Sequence, residues 1–192
     1  IAERAAPQLG LVTTTDLDHL GLSPRQVERF LAQGVLRRVG RGVHALAGAP
    51  RSAHQRLPAP TLLAGEGAVA SHLAAAWVWG FDGVRPNEIE LSVPRSRNPR
   101  TEQARIHRVS DLLPVDVTRR GPQPITTPAR TLLDIAPLVP GHALEEAFDG
   151  ARRRGQIYLP FLKWRLAELS RQGRRGLGAL ESGDRPEQTA ER

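Results

Sequence analysis

The stretch Ser23–Gly42, "SPRQVERFLAQGVLRRVGRG", decides how the N-terminal part of the chain folds. It opens as a helix. Ser23 stands three residues before Gln26 in the spacing of a capping box, and Pro24 fills the first helical position, where its missing N–H removes no hydrogen bond. Gly34 ends the helix. "VLRRV" and "VHAL" then read as two short strands around Gly40-Arg41-Gly42, whose glycines supply the backbone angles of a hairpin. On a period of 3.6 residues, Val27, Phe30 and Leu31 share one helix face. Arg25, Arg29 and Ala32 lie opposite, with Gln26 and Gln33 to one side and Glu28 to the other. The apolar face needs partners from elsewhere, and the arginine face is left for solvent or for a ligand.

Those partners are expected upstream. Ala2–Leu11 reads as a short opening helix. Thr15–Leu20 reads as a second, with a threonine cap, acidic residues in its first turn and Gly21 at its end. Three short helices and a hairpin within residues 1–48 give the order of a winged helix-turn-helix. In that arrangement the last helix enters the major groove and presents its N-terminal residues to base edges. Arg25 and Arg29 lie one turn apart; arginine pairs bidentately with guanine, and Gln26 has the amide that reads adenine. Ser23 and the free N–H groups of the helix start suit a phosphate, and Gln33 lies at the far end of the same surface. Arg37, Arg38, Arg41 and His44 are expected on the wing, against backbone or minor groove. The competing reading is an ordinary solvated arginine face with Glu28 as a partial ion partner. Cap, arginine face and Arg-Gly hairpin together favour double-stranded DNA.

The charge balance agrees. The 192 residues hold 27 Lys+Arg against 20 Asp+Glu, a formal net charge of +7, which favours phosphate-rich partners over acidic or neutral ones. Lys163 is the only lysine. The arginine preference fits a GC-rich genome, but the excess of cations over anions does not follow from that. Hydrophobic residues make up 40% and aromatic ones 4%, so the core is expected to consist of Leu, Val and Ala. The absence of cysteine removes disulfides and thiolate metal sites. No apolar run approaches a bilayer span, and no signal-peptide pattern opens the chain. The expectation is a cytoplasmic protein without membrane contact, metal or cofactor. With no methionine even at position 1, the chain is expected either to start at a non-standard codon or to lack its first residues, and the polar end "GALESGDRPEQTAER" is read as a second candidate truncation point.

Residues 49–60, "APRSAHQRLPAP", read as a linker, and 61–176 as a second, mixed α/β domain with a small sheet and C-terminal helices. "APTLLAGEGAVASHLAAAWVWG" reads as two helical pieces broken near Gly65 and Gly67. Glu88–Val93, Ala104–Val109 and Val115–Arg120 alternate with period two and read as strands. Thr127 caps a helix over Thr127–Ala136, with Pro128 at its first position, and "HALEEAFDGARRRG" and "LPFLKWRLAELSRQG" form two more. Residues 177–192 are expected to be a disordered tail. The overall expectation is an α+β protein with an N-terminal winged helix-turn-helix.

Arg95, Arg97 and Arg100 fall in one loop, with Arg105, Arg108, Arg119 and Arg120 on or near adjoining strands. They form either a second basic surface that extends a DNA footprint or touches RNA, or a solvated loop. Arg152–Arg154 close a helix and complement its dipole. Ser71-His72 is read as a cap and a partly buried histidine, not a triad fragment, and Trp77 and Trp79 as core and interface packing. For a metal nuclease, Glu88 and Glu90 on one strand face and Asp116 on another strand would be the carboxylates, but Lys163 is far from them in sequence. No Lys-Ser/Thr phosphate loop and no His-rich metal spacing are present.

The whole pattern resembles actinobacterial members of the AbiE-type antitoxin family, winged-helix regulators of type IV toxin–antitoxin systems. The resemblance rests on "GLVTTTDLDHLGLSPRQVERFLAQGVLRRVGRGVHAL", "GAVASHLAAAWVWGF", "EIELSVPRSRNP" and the signature-like "PITTPARTLLDIA", covering roughly Leu9–Arg175. It implies a DNA-binding N-terminal domain that represses its own operon, and an α/β domain linked to neutralising a nucleotidyltransferase-like toxin, without catalysis. Some relatives continue into an endonuclease-like domain resembling very-short-patch repair enzymes; this chain stops before it. The alternatives are a truncated nuclease using the strand carboxylates and a protein-interaction module that does not bind DNA.

Overall fold

The computed structural model describes residues 1–49, 57–173, and 177, 178 and 180. The first helix, α1 (Ala2–Ala5), passes into a 3-10 turn at Ala6–Gln8. Pro7 closes this segment, and Leu9 (φ 56°) and Gly10 (φ 83°) are left-handed, so the chain leaves the helix before Leu11. Leu11–Thr13 is a strand, β1, where the sequence suggested a helix end. Thr13 then caps α2 (Thr14–His19). Its Oγ1 accepts the Asp16 N–H at 3.0 Å, while Asp16 Oδ2 accepts the Thr13 N–H at 2.9 Å. The third helix, α3 (Pro24–Ala32), has the expected Ser23 cap and bounds.

The expected hairpin is β2 (Leu36–Gly40) and β3 (Val43–Leu46), and β1 adds to its free side. The antiparallel order is β1-β3-β2, with Leu11 opposite Ala45 and Val12 opposite His44. Successive side chains leave a strand on opposite faces. Val12 and Leu36 join Ala5, Leu17 and Val27 under the three helices. Leu11 and Ala45 face the other way and meet Ala59 and Leu62 of α4 (Pro58–Ala64).

Helix α4 revises the linker. Residues 50–56 lie outside the described residues, but Pro58, Ala59 and Pro60 form a buried first helical turn. Proline is tolerated there because the first-turn N–H groups have no intrahelical partner. While Ala59 and Leu62 cover the small sheet, Leu57 and Ala64 join the core of the second unit. A Cβ on Gly40 would come within 2.5 Å of Leu63 Cδ2, so the wing strand runs directly against α4.

The second unit is built on a five-stranded mixed sheet, β4 (Val69–Ala70), β5 (Glu90–Pro94), β6 (Arg105–Val109), β7 (Val117–Arg120) and β8 (Gln123–Thr126), in the order β6-β5-β4-β8-β7. Helices α5 (His72–Trp79), α6 (Pro128–Ile135), α7 (Gly141–Arg153) and α8 (Leu159–Arg171) follow the expected order. The alanines of α5 let it sit between the sheet and a helical core that includes Leu132, Leu133, Leu144, Leu162 and Leu169.

The motif "PITTPARTLLDIA" acquires a structural reason. Arg130 is fully buried; its Nε reaches Asp134 Oδ1 at 2.8 Å, Nη1 reaches Asp116 Oδ2 at 3.1 Å, and Nη2 reaches Asp111 Oδ1 at 2.9 Å. Arg165 of α8, also fully buried, reaches Asp116 Oδ2 at 2.7 Å. Burial works against the Arg130 charge, but Asp134, Asp111 and Asp116 outweigh it and raise its pKa above the ordinary arginine value. The network fastens the approach to β7 to α6 and α8. Of the expected tail, Leu177 is buried and Leu180 packs on the helical core; 179 and 181–192 lie outside the described residues.

Candidate nucleic-acid interface

The apolar side of α3 is used as its period requires. Val27 is buried against α1 and α2, with Phe30 and Leu31 packed beside it. Arg25, Glu28, Arg29, Ala32 and Gln33 are exposed on the opposite side. Among the described residues neither Arg25 nor Arg29 forms an ion pair; the Arg29 guanidinium lies 5.8 Å from the Phe30 ring centroid. Two cations one helical turn apart thus stand on a surface without an ion partner among the described residues.

Two of the expected contacts change role. Gln26 is spent on the cap: its Oε1 accepts from Ser23 N at 2.8 Å and from Ser23 Oγ at 2.8 Å. Reading adenine requires both ends of the amide, so the cap competes with any such contact. His44 is a correction. It lies in β3, the central strand, between Val12 and Arg38, and is only 5% exposed. Burial pushes its pKa down, and the Arg38 charge adds to this. A buried, neutral imidazole cannot hold a phosphate. The sequence placed His44 on a two-stranded wing; β1 makes its strand internal.

The wing arginines divide. Arg37 is half-buried and stands opposite Ala45, on the side toward α4. Arg38 stands opposite His44 on the helix side and donates to Glu28 Oε1 at 3.1 Å, joining wing to α3. Arg41 is exposed in the turn between β2 and β3. That turn is held from below, since Thr14 N donates to Gly42 O at 2.8 Å. Gly42 has φ 72°, a conformation glycine adopts without steric cost. Ser23, Arg25, Arg29 and Gln33 are thus exposed along α3 and its cap, and Arg41 at the wing turn, with Arg38 held in an ion pair to Glu28.

The second basic group lies in the loop between β5 and β6. Arg95, Arg97 and Arg100 are exposed, as is Arg105 on the edge strand, where Glu88 stands 3.7 Å away. Sequence reasoning did not see how this loop is attached. Gln103 Nε2 donates to Val39 O of the wing strand at 3.3 Å. Nothing in an Arg-Pro loop announces such a contact, because its other half is sixty-four positions away.

The carboxylates considered for catalysis are used structurally. Glu88 lies outside β5 and is exposed. Glu90 is buried; its Oε1 contacts His107 Nε2 at 2.9 Å, and its Oε2 accepts from Leu73 N at 2.9 Å at the start of α5. Burial raises its pKa, but these two bonds and the His72 and His107 charges more than offset that and leave it below the usual value. Asp116 is fully buried between Arg130 and Arg165. It adjoins β7, three strand spacings from Glu90, or about 14 Å. No group of three His, Asp or Glu among the described residues is placed to hold a metal ion. Ser71 holds the N-cap position of α5 but gives it no side-chain hydrogen bond; its Oγ contacts His72 Nδ1 at 2.9 Å and accepts from Ser92 at 2.8 Å, fully buried. Trp79 is core-packed and donates to Thr126 O at 2.8 Å, whereas Trp77, expected inside, is 48% exposed.

Two family profiles match this arrangement. One, described as transcriptional regulator, AbiEi antitoxin, covers residues 1–47, the winged helix-turn-helix. The other, the AbiEi antitoxin C-terminal domain, covers residues 68–144, from β4 into α7. The chain belongs to the AbiEi antitoxin family. It is a DNA-binding antitoxin regulator. Helix α4, which packs on both units, falls between the two matched spans. No curated protein matches the chain. Among solved structures, that of the RV2827C protein from Mycobacterium tuberculosis is similar at 17% identity over 78% of this AbiEi chain and 71% of that chain, with a TM-score of 0.44. No described helix is long and apolar enough to cross a membrane.

Proposed function

We propose that this AbiEi chain represses its own operon by docking α3 in the major groove of an operator, and that its second domain neutralises a nucleotidyltransferase-like toxin. The observation that carries the DNA half is the pair Arg25 and Arg29: exposed, one turn apart, without ion partners among the described residues, and opposite the buried Val27. Arg25 and Arg29 read base edges from the N-terminal half of the helix. Ser23 and the helix N-terminus hold a phosphate on one side, and Gln33 closes the other. Arg41 enters from the wing tip, with Arg38 as a reserve cation when Glu28 releases it. The protein works without catalysis, since Glu90 and Asp116 are committed to holding α5, α6 and α8 in place.

A reporter gene placed behind the region upstream of the chain's own gene tests the repression. Wild-type protein is expected to silence the reporter, and Arg25→Ala with Arg29→Ala to restore expression. Silencing by the double variant at the wild-type level would remove the proposed docking. The toxin half is tested separately, by co-expression with the product of the adjacent gene: the double variant is expected still to rescue growth.

A further inference from the structure

We propose that the loop 95–104 of the second domain is a third contact to DNA, gripping backbone phosphates beyond the wing. The proposal rests on α3 and the wing being the DNA-binding face and extends that face across the domain boundary.

The three-stranded sheet has α3 and its companions on one face and α4 on the other. The loop sits on the α4 side. Gln103 Nε2 bonds Val39 O, two residues before the wing-tip Arg41. The Arg97 Nη2 lies 3.0 Å from where a Cβ on Gly65 would be, at the end of α4. The wing thus contacts α3 through Arg38 and Glu28 and the loop through Val39 and Gln103. On this proposal a duplex that meets α3 and the wing tip continues past the wing to the loop. The attachment point on Val39 is at most about 8 Å from Arg41 along the chain, and Arg100 at most about 11 Å from Gln103.

The loop is also held and charged. Arg108 Nη2 donates to Arg95 O at 2.6 Å at its start, and the Gln103 N–H bonds Thr101 Oγ1 at 3.2 Å at its end. Arg95, Arg97 and Arg100 form no ion pair among the described residues, and Glu102 is the loop's one acidic residue. Three exposed cations on an anchored loop beside a wing fit a regularly spaced polyanion. They do not offer the stacking aromatics that single-stranded RNA recognition uses, and the groups aimed outward are phosphate binders, not base readers.

The test uses full-length protein, a duplex covering the region upstream of its own gene and a duplex of unrelated sequence, with affinity measured from about 50 to 200 mM salt. Arg95→Ala, Arg97→Ala and Arg100→Ala together are expected to lower the salt slope by about two to three on both duplexes. Sequence preference should stay unchanged, and hydroxyl-radical protection should be lost only at the wing end of the site. The corresponding triple lysine variant should restore the slope. Shortening the duplex from the wing end should remove the same increment from wild-type protein, a readout that needs no folded variant. A slope and footprint equal to wild type in the alanine variant, with no effect of shortening, overturns the proposal. So does a loss confined to RNA or to a protein partner. Should Arg25→Ala with Arg29→Ala also bind like wild type, the docking of α3 has failed; should only the loop variants be silent, the loop alone has.

Discussion

At the residue scale, the caps were legible and the buried polar side chains were not. Ser23 with Gln26, and Thr127 before Pro128, are local signals, and both caps form as their spacing demands. In sequence Asp16 is only a first-turn acid, yet it gathers Thr13 N, Thr13 Oγ1, Arg4 Nε and Gln8 Nε2. Burial raises its pKa, but the hydrogen bonds from Thr13, Arg4 and Gln8 outweigh this and bring it to about 2, from an ordinary 3.8. A carboxylate held this way stabilises the fold above its unfolded pKa and loses that contribution as pH falls through the folded value. Asp16→Asn is expected to destabilise the protein by about 1–2 kcal/mol at neutral pH, with the gap closing between about pH 4 and pH 2 in thermal melts. His44 has the opposite consequence. Its pKa is depressed from 6.5, so protonation favours the unfolded chain, and stability is lost as pH drops below 6.5. His44→Leu should flatten that part of the pH–stability curve; an unchanged slope would mean that another group is titrating.

At the scale of elements, what the sequence withheld were the short pieces. β1 has three residues and β8 contains Pro124, so neither offers a period long enough to read. The absence of β1 from the reading puts His44 outside, whereas the linker extends into α4 because Pro58 and Pro60 read as breakers and instead fill a first helical turn. α3 and the hairpin were legible because cap, period and glycines agree over twenty residues. The contact between them was not, since the Glu28–Arg38 pair joins two elements whose facing is set by β1 and β3. This pair is exposed, so it adds little to stability, but it holds one cation and places one anion on the face proposed to meet DNA. Glu28→Gln is expected to tighten binding to duplex DNA several-fold and to steepen the salt slope by about one, with the melting temperature nearly unchanged. Weaker binding would show that Glu28 orients Arg38 and does not restrain it.

At the scale of the molecule, two units are tied by α4 and by Gln103, and the second is locked by its buried arginines. The signature around Arg130 was visible as a string, but its purpose was not, because Asp111, Asp116 and Arg165 come from outside it. Arg130→Met removes the cation that Asp111, Asp116 and Asp134 share and should cost about 3–5 kcal/mol, seen as early unfolding of the second domain in a denaturant titration. The central claim is that this AbiEi chain reads a duplex through α3 and grips it through the wing. The direct measurement is the affinity of wild type, Arg25→Ala, Arg29→Ala and Arg41→Ala for the upstream duplex and for a scrambled one. Arg25→Ala and Arg29→Ala should each lose about 1–3 kcal/mol on the upstream duplex and little on the scrambled one, while Arg41→Ala weakens both alike and lowers the salt slope by about one. Binding of all three variants to both duplexes at wild-type strength would contradict the account.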